Sequence, residues 1–442
     1  MGGSRADQTE ALIIAQDISL TRFSNSAINQ NVSEKRETLF IRVIIGRCIG
    51  SASTDRFDDQ AIQRGLERAT ERAQLQTPSE SPRFLPRPKP FQPITSFSDK
   101  TARYSPSQRV EDIQRLIQMA SEEGLLAHGA HCTGTVEMGI ANSLGVDAHC
   151  IHSGVTLDTT MTGQGGSGYS RFASRNIEGM DIQSIGREAL EMCLANRGAR
   201  PIEPGNYEVL LNSYAVSDLV MSMASIGLNA SAFQEQRSFM CNQLGKQLLG
   251  ENVTIWDDGL DTGGFNTPFD FEGVPKRKVI FFHDGVATGV THDSLTASKA
   301  GAESTGHRGP PPGNKGPIPT NLFMRGGDSS MEEMIRSTER GIYIHRFHYV
   351  NVLAPKRAII TGMTRDGTFL IERGKMTKPL KNLRFTQSIL DALSVVSLIS
   401  KETKLVAPEA EYEIPFLTGS VVPALKIENF HFSGVSETDT SR

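Results

Sequence analysis

Ten histidines are this 442-residue chain's main supply of groups able to bind a metal or move a proton. Two clusters combine imidazole with thiol: His128-Gly-Ala-His131-Cys132 and His149-Cys150-Ile-His152. Together they hold enough ligands for a four-coordinate zinc. Their setting argues against a shared site. The spacing predicts a hairpin, Leu125 to Ala141 and Val146 to Met161, turning at Asn142-Ser143-Leu144-Gly145. A turn centred on Ser143-Leu144 sets His149 opposite Met138 and His152 opposite Thr135. At about 3.3 Å per residue, His131 then lies roughly 13 Å along the ladder from the partner of His152. A third cluster, Tyr343-Ile-His345-Arg346-Phe347-His348-Tyr349, reads as a strand. There His345 and His348 point to opposite faces and cannot chelate one ion together. Each is left as a lone acid/base group or as packing. No G-x-S-x-G elbow is present, and no cysteine sits in a recognisable catalytic context. The stretch Gly163 to Gly168 has the glycine density of a phosphate cradle. It lacks a following Lys-Ser/Thr and a helix, so it reads as a mobile loop.

The elements that must position these groups follow from periodicity. Ile18 to Ile28, Glu37 to Ile45 and Ile49 to Ser53 read as strands. A helix begins near Asp58, with Ile62, Leu66, Ala69 and Ala73 at helical spacing. This β-β-β-α unit takes residues 1–76. Residues 77–105 form a connector whose first part, Thr77 to Thr95, carries six prolines and is expected to cross the surface in extended form. Residues 106–200 hold a helix from Pro106, the hairpin, and a second helix over Asp181 to Ala195. From 201 to 435 come a strand (Tyr207 to Asn212), a helix (Ser217 to Ile226), then strands joined by glycine-containing turns, Asp366-Gly367 among them. A late helix is expected over Ser388 to Ser400, and Ser433 onward, with 436–442 at its end, reads as a polar tail. Sheets with segregated helices define an α+β fold: an N-terminal β-β-β-α and helix/hairpin lobe, then a mostly β, barrel-like C-terminal lobe.

Composition narrows the function class. A formal net charge of −4, from 46 basic and 50 acidic side chains, gives no reason to expect nucleic acid or a membrane as partner. Five cysteines without C-x-x-C spacing fit a reducing compartment. No secretory signal pattern is visible, and no apolar run approaches the ~20 residues that span a bilayer. The expectation is a cytoplasmic protein.

Several strings resemble one family. They include Leu20 to Ser33 (LTRFSNSAINQNVS), Ile49 to Asp55, Glu137 to Gly145 with its ANSLG turn, and Asp270 to Arg277. Thr296 to Gly301, Ser304 to His307, Pro317 to Leu322, Thr361 to Glu372 and Lys381 to Phe385 continue in order. This sequence is similar to the TldD/PmbA metallopeptidases along nearly its whole length. The resemblance implies a two-lobed α+β protein that pairs with a related subunit and handles unfolded or small peptides. TldD-type members carry His-Glu-x-x-x-His on the helix after the first C-terminal strand; PmbA (TldE) types lack it. Here the corresponding helix reads Ser217-Asp-Leu-Val-Met-Ser-Met-Ala-Ser-Ile226, with no histidine, no glutamate and Asp218 as its only acid. Phe233 to Arg237, Leu244 to Lys246 and Asp257-Asp258 also fit the PmbA side. The expectation is therefore a subunit with no catalytic residue or cofactor of its own, beside a TldD-like partner that supplies zinc. Asn321, Arg325, Arg365 and Asp366 are the candidate substrate contacts. The alternatives are a stand-alone, self-associating peptidase with a metal site drawn from His128, His131, Cys132, His345 and His348, and a non-enzymatic peptide-binding module.

Overall fold

The computed structural model describes residues 6–78, 84–312, 316–408 and 414–435. Pro82 of the connector and the 436–442 tail lie outside them. The first lobe contains β1 (Gln8–Ser24), β2 (Ala27–Ile45), β3 (Cys48–Thr54), α1 (Asp59–Gln74), α2 (Asp99–Ala102), α3 (Pro106–Glu122), β4 (Leu126–Asn142), β5 (Asp147–Gly163), β6 (Gly166–Ser174) and α4 (Ile182–Ala195). One antiparallel sheet, ordered β3-β2-β1-β4-β5-β6, joins the two units that the sequence presents separately. The first hairpin turns at Asn25-Ser26, both with positive φ, as a two-residue loop demands.

Alternation along the strands divides the sheet into two buried faces. In β1, β2, β4 and β5 odd-numbered positions such as Leu39, Ile41, Val43, Ala127 and Leu157 pack under α1, α3 and α4. Even-numbered positions such as Leu12, Ile14, Val136, Met138 and Ile140 pack on Phe269, Phe271 and Leu417 of the second lobe. α1 starts at Asp58, whose carboxylate accepts the Ala61 N–H at 2.9 Å. It lies so close to β3 that a Cβ on Gly50 would stand 1.9 Å from the Ala69 carbonyl oxygen.

The second lobe runs β7 (Gly205–Leu211), α5 (Ser213–Ile226), α6 (Ala230–Gln234), β8 (Ile255–Asp257), β9 (Val279–His283), β10 (Val286–Ala287), α7 (Ser294–Ala300), β11 (Asn321–Met324), α8 (Met331–Arg336), β12 (Arg340–Ala354), β13 (Ile359–Glu372), β14 (Lys375–Pro379), β15 (Leu383–Ser388), α9 (Ile389–Ser394), β16 (Val396–Val406) and β17 (Gly419–Val435). Its mixed sheet follows β10-β9-β8-β11-β17-β15-β13-β12-β7, and β17 also pairs β7, so five strands close a ring of pairings. Inside the ring Phe347 lies tilted against Phe385, with centroids 4.5 Å apart, and stacks 5.9 Å from Phe430. Each such buried side chain contributes about 1.5–3 kcal/mol. Arg175, carried just past β6, pins the lobes together by donating to the carbonyls of Asn266 (2.8 Å) and Phe416 (2.9 Å). The chain is an α+β protein.

Several expectations are corrected. The hairpin register is displaced by one residue: Cys150 faces Met138 and His152 faces Val136. The turn keeps three residues, with Gly145 at φ 99° and the Asn142 side chain accepting the N–H groups of Leu144 and Val146. A slip of one reverses which face each side chain occupies. The glycine stretch from Gly163 is not a mobile loop but a tight turn entering β6, whose glycines let α4 approach closely. The helix expected over Ser388–Ser400 is only α9, because the β-branched run from Val395 pairs with β17 as β16. Asp366-Gly367 forms no chain reversal. Both residues take positive φ within β13, opposite a register shift in β12 at His345. Ser433 belongs to β17 rather than to a tail.

Candidate functional site

α5 begins four residues earlier than the periodicity predicts, and most of it is core. Leu219, Val220, Met223 and Ala224 are buried among β7, β12 and β17, and Ser217 Oγ lies 2.8 Å from Ser420 Oγ. Asp218, Met221, Ser222 and Ser225 remain at least partly exposed. At helical spacing they form one stripe along the side facing away from that core. One carboxylate, one thioether and two hydroxyls make a poor zinc set, which favours imidazole, thiolate and carboxylate. The residues of this helix do not fit the metal that the family resemblance implies for TldD-type members. Among the described residues no group of three or more His, Cys, Asp or Glu side chains is placed to hold a metal.

The histidine clusters separate in space. His128 spends its ring nitrogens on the Asn25 N–H (3.2 Å) and on Thr162 Oγ1 (3.0 Å), tethering two hairpins. His131 faces α3, 3.7 Å from Asp112, and burial with Arg109 pushes it down to about 3, so it is neutral. Cys132 points to the opposite face, and burial pushes its thiol up to about 12. His152 is buried on that same face and also held neutral by burial. His345 is sealed between the lobes: Nε2 donates to the Tyr169 carbonyl at 2.7 Å, and Nδ1 lies 3.2 Å from Tyr343 Oη. His348 is half-buried one strand face away.

The four candidate substrate contacts fall in two places. Asn321 is buried, donating to the carbonyls of Asp258 (2.6 Å) and Asp261 (3.3 Å). Arg325 is half-exposed and pairs with Asp284 at 2.7 Å. Arg365 and Asp366 sit three strands away, on β13. Asp366 is buried and receives Arg346 at 2.7 Å, while the Arg346 guanidinium stacks 4.1 Å over Tyr169. Around Tyr169 and His345, Ser170 donates to Glu188 at 2.6 Å, and Lys404 contacts both Glu188 and Tyr214. No sequence spacing announces this cluster, since its members come from β6, α4, α5, β12 and β16.

A second polar network lies between β1, β2 and the 258–278 loop that joins β8 to β9. Arg42 bridges Glu10 (2.8 Å) and Glu272 (2.9 Å), and Glu272 also accepts the Ser294 N–H. Asp270 accepts the N–H groups of Glu272, Val274 and Arg308, and Arg308 donates to Asp293 at 3.1 Å. Burial and the neighbouring Glu272 carboxylate push Asp270 up to about 7. Its folded value exceeds its unfolded one, so the stability it contributes is present at low pH and is lost as pH rises through about 7. Between about pH 4 and 7, its unfolded and folded values, the thermal midpoint of the wild type is expected to carry a falling component that Asp270→Asn removes. A slope unchanged in the variant would refute this assignment.

In fold, the chain is similar to TldE from Thermococcus kodakarensis, with a TM-score of 0.86 over 97% of both chains at 20% identity. Profiles of the PmbA/TldA metallopeptidase C-terminal domain and of its domain 1 match residues 204–434 and 11–73. The chain belongs to the PmbA/TldD metallopeptidase family. Among curated relatives, it is 27% identical over 263 residues to a metalloprotease TldD homolog of Buchnera aphidicola, covering 57% of this chain and 53% of that protein. It is 26% identical over 268 residues to the homolog from Haemophilus influenzae, covering 58% and 54%. The chain thus spans about half the length of the curated relatives it matches. Among the described residues no helix is long and apolar enough to cross a membrane.

Proposed function

We propose that this chain is a metal-free, PmbA/TldE-like subunit of a cytoplasmic peptidase assembly. A TldD-like partner supplies zinc and cleavage, and this chain helps to hold unfolded or small peptides. The observation carrying this reading is the exposed stripe of α5. Asp218, Met221, Ser222 and Ser225 stand where the family resemblance puts the metal-binding helix, and they offer neither paired imidazoles nor a glutamate.

Strand addition suits a subunit that must accept varied sequences, because it draws on backbone hydrogen bonds. The outer edge of β2 supports it. β3 covers only Leu39 to Ile45, so Ala27 to Thr38 has no strand neighbour on that side among the described residues. Glu34, Lys35, Arg36 and Glu37 on this edge discourage indiscriminate pairing.

Metal analysis and peptidase assays test the reading. The purified chain is expected to hold far less than one zinc per molecule and to leave unfolded peptides intact. Mixed with a TldD-like protein, it is expected to co-elute and to raise cleavage above that of the partner alone. Stoichiometric zinc with cleavage by the isolated chain would overturn the assignment.

A further inference from the structure

We infer that a cavity between the lobes binds the free C-terminal carboxylate of a short peptide with an apolar last residue. It takes the peptide class from the reading above. The cavity encloses about 530 Å³, within the range of roughly 300–1,000 Å³ typical of ligand sites, and lies at a lobe interface, where such sites concentrate. Part of its wall is apolar: Phe40, Leu85, Phe271 and Leu295 line it from β2, the connector, the 258–278 loop and α7.

The ionic groups lining it are not equally available. At one side Glu10 and Glu272 are both engaged by Arg42, Glu272 further accepts the Ser294 N–H, and Arg308 is held by Asp293. Both carboxylates are nearly enclosed and charge-paired with Arg42, so they are poorly placed to take a ligand amine. Arg47, on the β2–β3 turn, makes no ion pair among the described residues, and Arg72 of α1 donates one N–H to the Ser51 carbonyl. Both are exposed, and both line the cavity. The remaining ionic capacity is therefore cationic and guanidinium, which matches a carboxylate in shape and charge. Apolar walls beside this pair define an amphipathic acid as the ligand. The arrangement could not be read from sequence, since the lining comes from segments on both sides of residue 200.

The test uses the full chain and the tripeptide Ala-Phe-Leu, labelled at its N-terminus with a fluorophore, as free acid and as C-terminal amide. By fluorescence anisotropy the acid is expected to bind saturably, and amidation to weaken binding about tenfold. The double variant Arg47→Ala/Arg72→Ala is expected to lose the same factor and to bind acid and amide alike. Both positions are exposed, so circular dichroism of the variant should match wild type. Equal binding of acid and amide, wild-type affinity in the double variant, or no saturable binding of the acid would each overturn the inference. No metal-bearing partner enters this measurement. It can fail while co-assembly and assisted cleavage hold, and it can succeed if they fail.

Discussion

Replacing Arg42 by alanine is expected to destabilise the protein by about 3–5 kcal/mol, the cost of breaking a buried ion network by removing one partner. Arg42 is nearly enclosed, and the carboxylates it bridges are more so, with side-chain exposures of 6% for Glu10 and 4% for Glu272. Without the guanidinium, two acids face each other across the lobe interface with little water to screen them. Burial already pushes the Glu10 carboxyl above its usual range against the pull of Arg42. Glu272 is held below its usual range because Arg42 and Arg308 outweigh its burial. Urea unfolding would read the loss, and adding Glu10→Gln and Glu272→Gln to Arg42→Ala should restore part of it. A single variant within about 0.5 kcal/mol of wild type, as expected of an ordinary surface site, would refute the role of this network.

Asp257→Ala is the second large effect. The carboxylate is fully buried and serves several donors at once. His307 Nε2 meets one oxygen at 2.8 Å, and the N–H groups of Thr320 and Asn321 reach the other, also at 2.8 Å. A carboxylate can only accept, so the neutral ring must carry its proton on Nε2. Burial and the nearby Lys276 ammonium keep His307 neutral. Burial opposes the charge on Asp257, yet His307, Lys276 and the backbone donors hold its carboxyl below the usual range. Alanine would strand an imidazole N–H, two amides and an ammonium. At about 1–3 kcal/mol for each unsatisfied buried group, the loss should exceed about 3 kcal/mol. Hydrogen exchange at Thr320 and Asn321 should accelerate sharply, whereas Arg325→Ala, at a half-exposed pair, should leave both protected. Unchanged protection in Asp257→Ala would show that these amides find other acceptors.

Much of the architecture is legible because it is local. The start of α1 at Asp58, of α3 at Pro106 and of α4 at Asp181 follows from capping residues followed by apolar positions at helical spacing. Errors arise where a tertiary neighbour outweighs a local signal. Ser388 to Ser400 has apolar residues at helical intervals, but β17 offers a ladder and the chain leaves α9 after one turn and a half. Sequence spacing sets the β4–β5 hairpin one residue off, because it does not say how many residues Asn142 draws into its turn. The observed register sets His131 and His152 on opposite faces of the sheet.

The sequence by itself determined the α+β class, the family resemblance and the absence of imidazole and glutamate from α5, because each depends only on residue types and their order. The tertiary structure alone decided that the histidines are dispersed, His131 beneath α3 and His345 between the lobes. It alone joined Arg42 to Glu272, 230 residues away, and set Arg47 beside a cavity that the second lobe closes. Such pairings arise when two apolar faces are pressed together and the charges at their margins must find partners. That outcome depends on how the lobes dock, and no local spacing encodes it.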